Sequence, residues 1–133
     1  MHPYLSQQKL LRYAREEGIQ VMAFSNLASA SYVELQMAGA DEAPVNLPQV
    51  AEIAARHSKS AAQVLLRWAV QRGTVAIPKS SKLERLAENI ALFDFALTEA
   101  EMATIDSLNK NRRYNDPGVF AEGAFGTFCP IYE

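Results

Sequence analysis

The sequence predicts an α/β protein in which parallel strands are covered by helices, and three observations carry that prediction. Two short, apolar, β-compatible stretches, residues 19–25 and 74–77, alternate with segments of helical period. Those segments are apolar along one side, as helices laid on a sheet must be. Several of them open on a capping box, which marks where a helix starts. With only two clear strands, each keeps an unpaired edge, so the pattern predicts a section of a larger α/β structure.

The first element is a helix over residues 7–17, with Ser6 as its N-cap and Gly18 as the left-handed residue that ends it. Leu10, Leu11, Tyr13 and Ala14 are its expected core side. Residues 19–25 (Ile-Gln-Val-Met-Ala-Phe-Ser) then read as a strand buried on both faces. From Asn26 to Pro48 small and polar residues, Gly39 and two prolines break any period, giving a long loop of the kind that commonly carries function.

Pro48 opens a helix running to His57 with Val50, Ile53 and Ala54 inward. Ser60-x-x-Gln63 caps a second, strongly buried one through Val64, Leu65, Leu66, Trp68, Ala69 and Val70, closed by Gly73. Residues 74–77 form the second buried strand, stopped by Pro78. Ser81-x-x-Glu84 predicts a helix with Leu83, Leu86, Ala87 and Ile90 as its stripe, and Thr98-x-x-Glu101 another with Met102, Ile105 and Leu108. Beyond Asn109 the chain has three glycines, two prolines and five aromatics (Tyr114, Phe120, Phe125, Phe128, Tyr132) without a period, and this tail is expected to cover a surface.

With 133 residues, 49% of them apolar and 21% charged, the chain is one globular domain or a piece of one. Its net charge of −2, from 13 basic and 15 acidic residues without long runs, gives no footprint for general nucleic-acid or membrane-surface binding. One cysteine, Cys129, and two histidines offer neither an internal disulfide nor a zinc cluster. No signal-peptide pattern or apolar stretch of membrane-spanning length appears, so a soluble, cytoplasmic protein is expected. Trp68 reads as core, and His2 and His57 as structural or exposed.

Chemistry concentrates where residues 77–81 (Ile-Pro-Lys-Ser-Ser) lead from a strand end into a helix. In parallel α/β folds that end of the strands lines the ligand face, and free N–H groups with a positive dipole end favour an anion there. Lys79 and Arg85 add full charges, and a guanidinium fork matches phosphate geometry. The alternative is a solvated Lys79 and an Arg85 paired with Glu84, Glu88 or Asp94.

Ala76-Ile77-Pro78-Lys79-Ser80 followed by Glu84-Arg85 and Glu88-Asn89 resembles the cofactor-binding signature of the aldo-keto reductase superfamily. The resemblance extends through His2-Pro3-Tyr4-Leu5, Ala23-Phe24-Ser25 and residues 62–68. Tyr32-Val33-Glu34-Leu35, Phe93-Asp94-Phe95 and Arg113-Tyr114-Asn115-Asp116-Pro117 resemble the xylose reductase branch. It implies a (β/α)8 barrel moving a hydride between NADPH, or NADH, and the carbonyl of an aldehyde or aldose sugar. By the same resemblance Lys79, Ser80 and Arg85 hold the adenosine 2′-phosphate, and Glu88 and Asn89 contact the adenine. Phe24 stands where the family usually stacks a tyrosine on the nicotinamide, and Ser25, Leu27 and Ser29 match positions near the pyrophosphate. Glu34 matches a carboxylate that can accept from ribose hydroxyls, and Asn115 an asparagine that can touch the sugar. The other readings are a core phenylalanine for Phe24, a solvated carboxylate for Glu34 and a turn for Asn115. Ala28 departs from the family's usual glycine.

No counterpart of the family's catalytic tyrosine, lysine, aspartate and histidine is present. A (β/α)8 barrel typically needs about 250 residues. The resemblance therefore implies that residues 1–133 are the C-terminal half of such a barrel, with residues 110–133 covering the substrate side. Three readings follow: a truncated reductase whose carbonyl or sugar substrate requires the completed barrel, a non-catalytic NADPH-binding half-barrel that assembles with itself or a partner chain, and a helical interaction module without ligand.

Overall fold

The structure, a computed structural model, describes residues 1–28, 32–33, 37–39 and 42–126, apart from the side chains of Val119, Phe120 and Phe125. Helix α1 (Gln8–Glu16) leads into strand β1 (Met22–Ala23), and a 3-10 turn (Pro44–Asn46) precedes α2 (Pro48–His57). Then come α3 (Ala61–Gln71), β2 (Val75–Ala76), α4 (Leu83–Ile90), α5 (Glu99–Asp106) and α6 (Pro117–Phe125). The two strands pair in parallel, Met22 beside Val75 and Ala23 beside Ala76, in an unclosed two-stranded sheet amid the helices.

The core is helical. Val50, Ile53 and Ala54 of α2 meet Val64, Leu65, Trp68 and Ala69 of α3, and Ile105 of α5 and Leu97 close the cluster. The i, i+3, i+4 spacing on α2 and the nearly continuous apolar run of α3 explain why α3 lies at the centre. Two of the three expected capping boxes form: Ser60 with Gln63 at the start of α3, and Thr98 with Glu101 at the start of α5. Gln63 also donates to the carbonyls of Glu88 (3.2 Å) and Ala91 (3.0 Å), tying the end of α4 to the start of α3.

Glu101 does more than cap. Its carboxylate accepts from the Thr98 N–H (2.9 Å), Arg56 Nε (3.1 Å) and His57 Nε2 (2.9 Å), joining α5 to α2. Burial alone would raise its pKa, but these hydrogen bonds more than offset it and hold the group at about 2.

Several expectations are corrected. Ser6 does not cap α1; the N-cap is Gln7, at φ +52° without a side-chain bond, because Ser6 is buried and its backbone binds Asn109 and Arg72 instead. Only Leu11 and Ala14 of α1 are buried, whereas Leu10 and Tyr13 face outward. The strands are not buried on both faces. Ala23 is buried and Ala76 packs against the helical core, while Met22, 63% exposed, and Val75 lie on a face that no layer covers among the described residues. The Ser81 capping box is not formed. Helix α4 starts one residue later behind Lys82, because Ser80 Oγ takes the Lys82 N–H (3.1 Å) in a local turn. Its stripe is not core: Leu83 (82% exposed), Leu86 and Ile90 all face away from the helices. The tail, expected to be irregular, contains α6, whose N-cap Asp116 accepts from the Gly118 N–H (2.9 Å) ahead of Pro117. Phe128, Cys129 and Tyr132 lie outside the described residues.

Because the folded pKa of Glu101 is depressed, its contribution is fully present above the ordinary value of 4.5 and is lost as pH falls toward about 2. Glu101→Gln is expected to cost about 2–3 kcal/mol at pH 7. In urea titrations the gap to the unaltered chain should narrow steadily below pH 4.5; a gap independent of pH would contradict the role given to the charge.

Candidate functional site

Parallel pairing sends the segments after β1 and β2 to the same end of the sheet. Asn26 bridges them: it is buried, and its Oδ1 accepts from the Ile77 N–H at 3.3 Å. Beside this bridge is a cavity of about 210 Å³ lined in part by His2, Phe24, Ser25, Tyr32, Tyr114 and Asn115. Three residues singled out from the sequence, Phe24, Ser25 and Asn115, thus converge on one space. Phe24 is 52% exposed, so it is not a core phenylalanine.

The turn after β1 is shaped by backbone. Ser25 (φ +58°) and Ala28 (φ +43°) both occupy the left-handed region, and the Ala28 N–H closes onto the Ser25 carbonyl at 3.0 Å. A positive φ at residue 28 is a conformation that glycine adopts freely and an L side chain disfavours, so Ala28 is held there against its preference. Leu27 packs against the helical core and does not line the cavity. Ser29 and Glu34 lie outside the described residues.

The opposite wall is aromatic. Tyr32 shares a 2.5 Å hydrogen bond with Ser25 Oγ and stacks on Tyr114, with ring centroids 5.3 Å apart. Tyr114 donates its hydroxyl to the Glu42 carbonyl (2.9 Å), and the Arg112 guanidinium sits 5.2 Å from its ring centre. Burial, followed by the Glu42 carboxylate and Tyr4, pushes the Tyr114 pKa up to about 12, so it remains a neutral donor. His2, whose ring centre is 4.9 Å from that of Tyr114, is buried and held neutral, its pKa lowered to about 3 by burial, then by the terminal ammonium and Arg113. Tyr114 was expected only as one of the aromatics of a covering tail, and Tyr32 and Asn26 were given no role from the sequence. Only the aromatic pair left a trace there, within the xylose-reductase-like segments.

The second group follows β2. Lys79, Arg85 and Glu88 are exposed, Ser80 and Asn89 half-buried, and none of the five lines the cavity. Asp94, one partner suggested for Arg85, is engaged by Lys59 at 2.5 Å. Among the described residues neither Lys79 nor Arg85 enters an ion pair. Lys79 and Arg85 thus stand exposed on the segment and helix that follow β2, with Ser80 next to Lys79 in sequence. Among the described residues no group of three His, Cys, Asp or Glu could hold a metal, and no helix is long and apolar enough to cross a membrane.

Residues 1–110 match the model of the aldo/keto reductase family. The chain is 40% identical to a probable NAD(P)H-dependent D-xylose reductase of Aspergillus clavatus, over 98% of this chain and 42% of that protein. It is 42% identical to the NAD(P)H-dependent D-xylose reductase of Kluyveromyces lactis, over 96% of this chain and 40% of that one. A crystal structure of an aldo-keto reductase enzyme from a Medee basin deep-sea metagenome library superposes with a TM-score of 0.73 at 31% identity, covering 85% of this chain and 39% of that one. The chain therefore spans about two fifths of the length of the curated relatives it matches.

Removing the Tyr114 hydroxyl tests the aromatic wall. Tyr114→Phe is expected to cost about 1 kcal/mol in urea unfolding at pH 7. A raised pKa stabilises below the ordinary value of 10 and is lost as pH climbs toward 12, so the cost should shrink on that alkaline limb.

Proposed function

The chain belongs to the aldo/keto reductase family, and on that premise we propose that it is the C-terminal half of a reductase barrel carrying the NADPH site. In this reading Lys79, Ser80 and Arg85 hold the adenosine 2′-phosphate, and Glu88 and Asn89 contact the adenine. Phe24 stacks on the nicotinamide, and Ser25, Leu27 and Ser29 flank the pyrophosphate, Leu27 through its backbone because its side chain is in the core. Glu34 accepts from ribose hydroxyls when NADH replaces NADPH, Asn115 touches an aldehyde or aldose sugar, and residues 110–133 cover that side. The bound cofactor would supply the hydride. The residues here bind and orient, and the family's acid group is not among them, so this chain alone does not turn over a carbonyl. A cytoplasmic location accompanies this reading.

The observation that carries it is that Lys79 and Arg85, exposed on the segment and helix that follow β2, enter no ion pair among the described residues. Two free cations and a hydroxyl at a strand end suit a phosphate dianion, and charge-assisted hydrogen bonds are about twice as strong as neutral ones. A second reading, a non-catalytic half-barrel that assembles with itself or a partner chain, is favoured by the exposed Met22, Val75, Leu83 and Ile90.

Lys79→Met with Arg85→Ala should weaken NADPH binding at least about tenfold while changing NADH affinity by less than about threefold. Fluorescence titration, with sizing in parallel, checks this. Absence of saturable NADPH binding by the unaltered chain would contradict the function; a dimer in sizing would support the assembly reading.

A further inference from the structure

The Tyr32 hydroxyl bonds a residue whose backbone is otherwise disfavoured. Ser25 stands at φ +58°, a region disfavoured for an L residue, and its Oγ meets the Tyr32 hydroxyl at 2.5 Å. That bond fixes the start of the turn that the Ala28 N–H closes. The Tyr32 ring in turn stacks on Tyr114, its plane 18° from parallel, and Tyr114 is anchored to the Glu42 carbonyl. Asn115, next in sequence, lines the same cavity as Phe24 and Ser25.

We propose that Tyr32 is a positioning residue: its hydroxyl holds the turn from Phe24 to Ala28 in the shape that receives the pyrophosphate and nicotinamide part of the cofactor, and its ring couples that turn to the segment bearing Asn115. The inference rests on the cofactor reading above. Tyr32 sits at the junction of two walls of one cavity, and nothing else described there reaches Ser25 Oγ. The Lys79 and Arg85 group lies outside the cavity, so the hold of Tyr32 should act on one end of the dinucleotide and not on the other.

Tyr32→Phe removes only the hydroxyl. By hydrogen exchange without ligand, the Ala28 amide should exchange about tenfold faster while amides of the helical core, such as those of Leu65 and Trp68, keep their rates. Uniform acceleration, or an unchanged Ala28, would overturn the proposal. With ligand, NADPH affinity should fall about tenfold while that of 2′,5′-ADP, which offers only the adenosine-phosphate end, stays the same. Equal losses for both, or none for NADPH, would also overturn it. If the unaltered chain binds neither nucleotide, the cofactor reading falls, and the ligand-free exchange result alone still decides whether Tyr32 holds the turn.

Discussion

The buried guanidinium of Arg72 is the constraint on which the arrangement of the cavity depends. Only 9% of its side chain is exposed, a position costly for a charge unless its donors are met. It lies over the Trp68 ring at 4.4 Å, approaches Asp106 at 3.7 Å, and donates to the Ser6 carbonyl at 2.6 Å, while its Nη1 is buried without a hydrogen-bond partner among the described residues. Trp68 donates its indole N–H to the same Asp106 at 3.0 Å, so α3 and α5 are joined through one carboxylate. Desolvation lowers the Arg72 pKa and Asp106 opposes the shift. Fixing Ser6 then fixes what precedes it. The Tyr4 carbonyl accepts from the N–H groups of Lys110 and Arg112, which lays residues 109–114 beside residues 2–6 and delivers Tyr114 and Asn115 to the cavity. A contact made in the helical core thereby sets the far wall of a site at the sheet.

Arg56, Arg72, Glu101 and Asp106 are partnered where helices meet. Lys79 and Arg85 are exposed and without ion-pair partners among the described residues, although acidic side chains lie close by in sequence. Exposed pairs contribute little to stability, so their absence costs the fold almost nothing. It leaves both cations available to a ligand.

The legible parts of the fold were those whose signal is local. The Ser60 and Thr98 capping boxes, Pro48 at a first helical turn, and Gly73 at φ +81° were all readable because each satisfies a backbone requirement within a few residues. Ser81 failed by the same logic, since the competing turn at Ser80 satisfied the Lys82 N–H first. Burial was misread wherever it depended on distant layers. The stripe of α4 and the outward faces of β1 and β2 carry apolar residues suited to a covering layer, and the two-stranded sheet leaves them exposed. In the candidate site, Phe24, Ser25 and Asn115 were identified individually, but their meeting in one cavity was not. Tyr32 reaches Tyr114 across more than 80 residues of chain, and no local pattern encodes such a contact.

Amide NMR mapping with NADPH is the decisive test of the adenosine-phosphate site proposed for this chain. The account predicts saturable shifts at Lys79, Ser80, Arg85, Glu88 and Asn89, accompanied by Phe24 and Ser25, with the shifts at Lys79, Ser80 and Arg85 much reduced when NADH is substituted. Shifts confined to other surfaces, or identical maps for the two nucleotides, would contradict it.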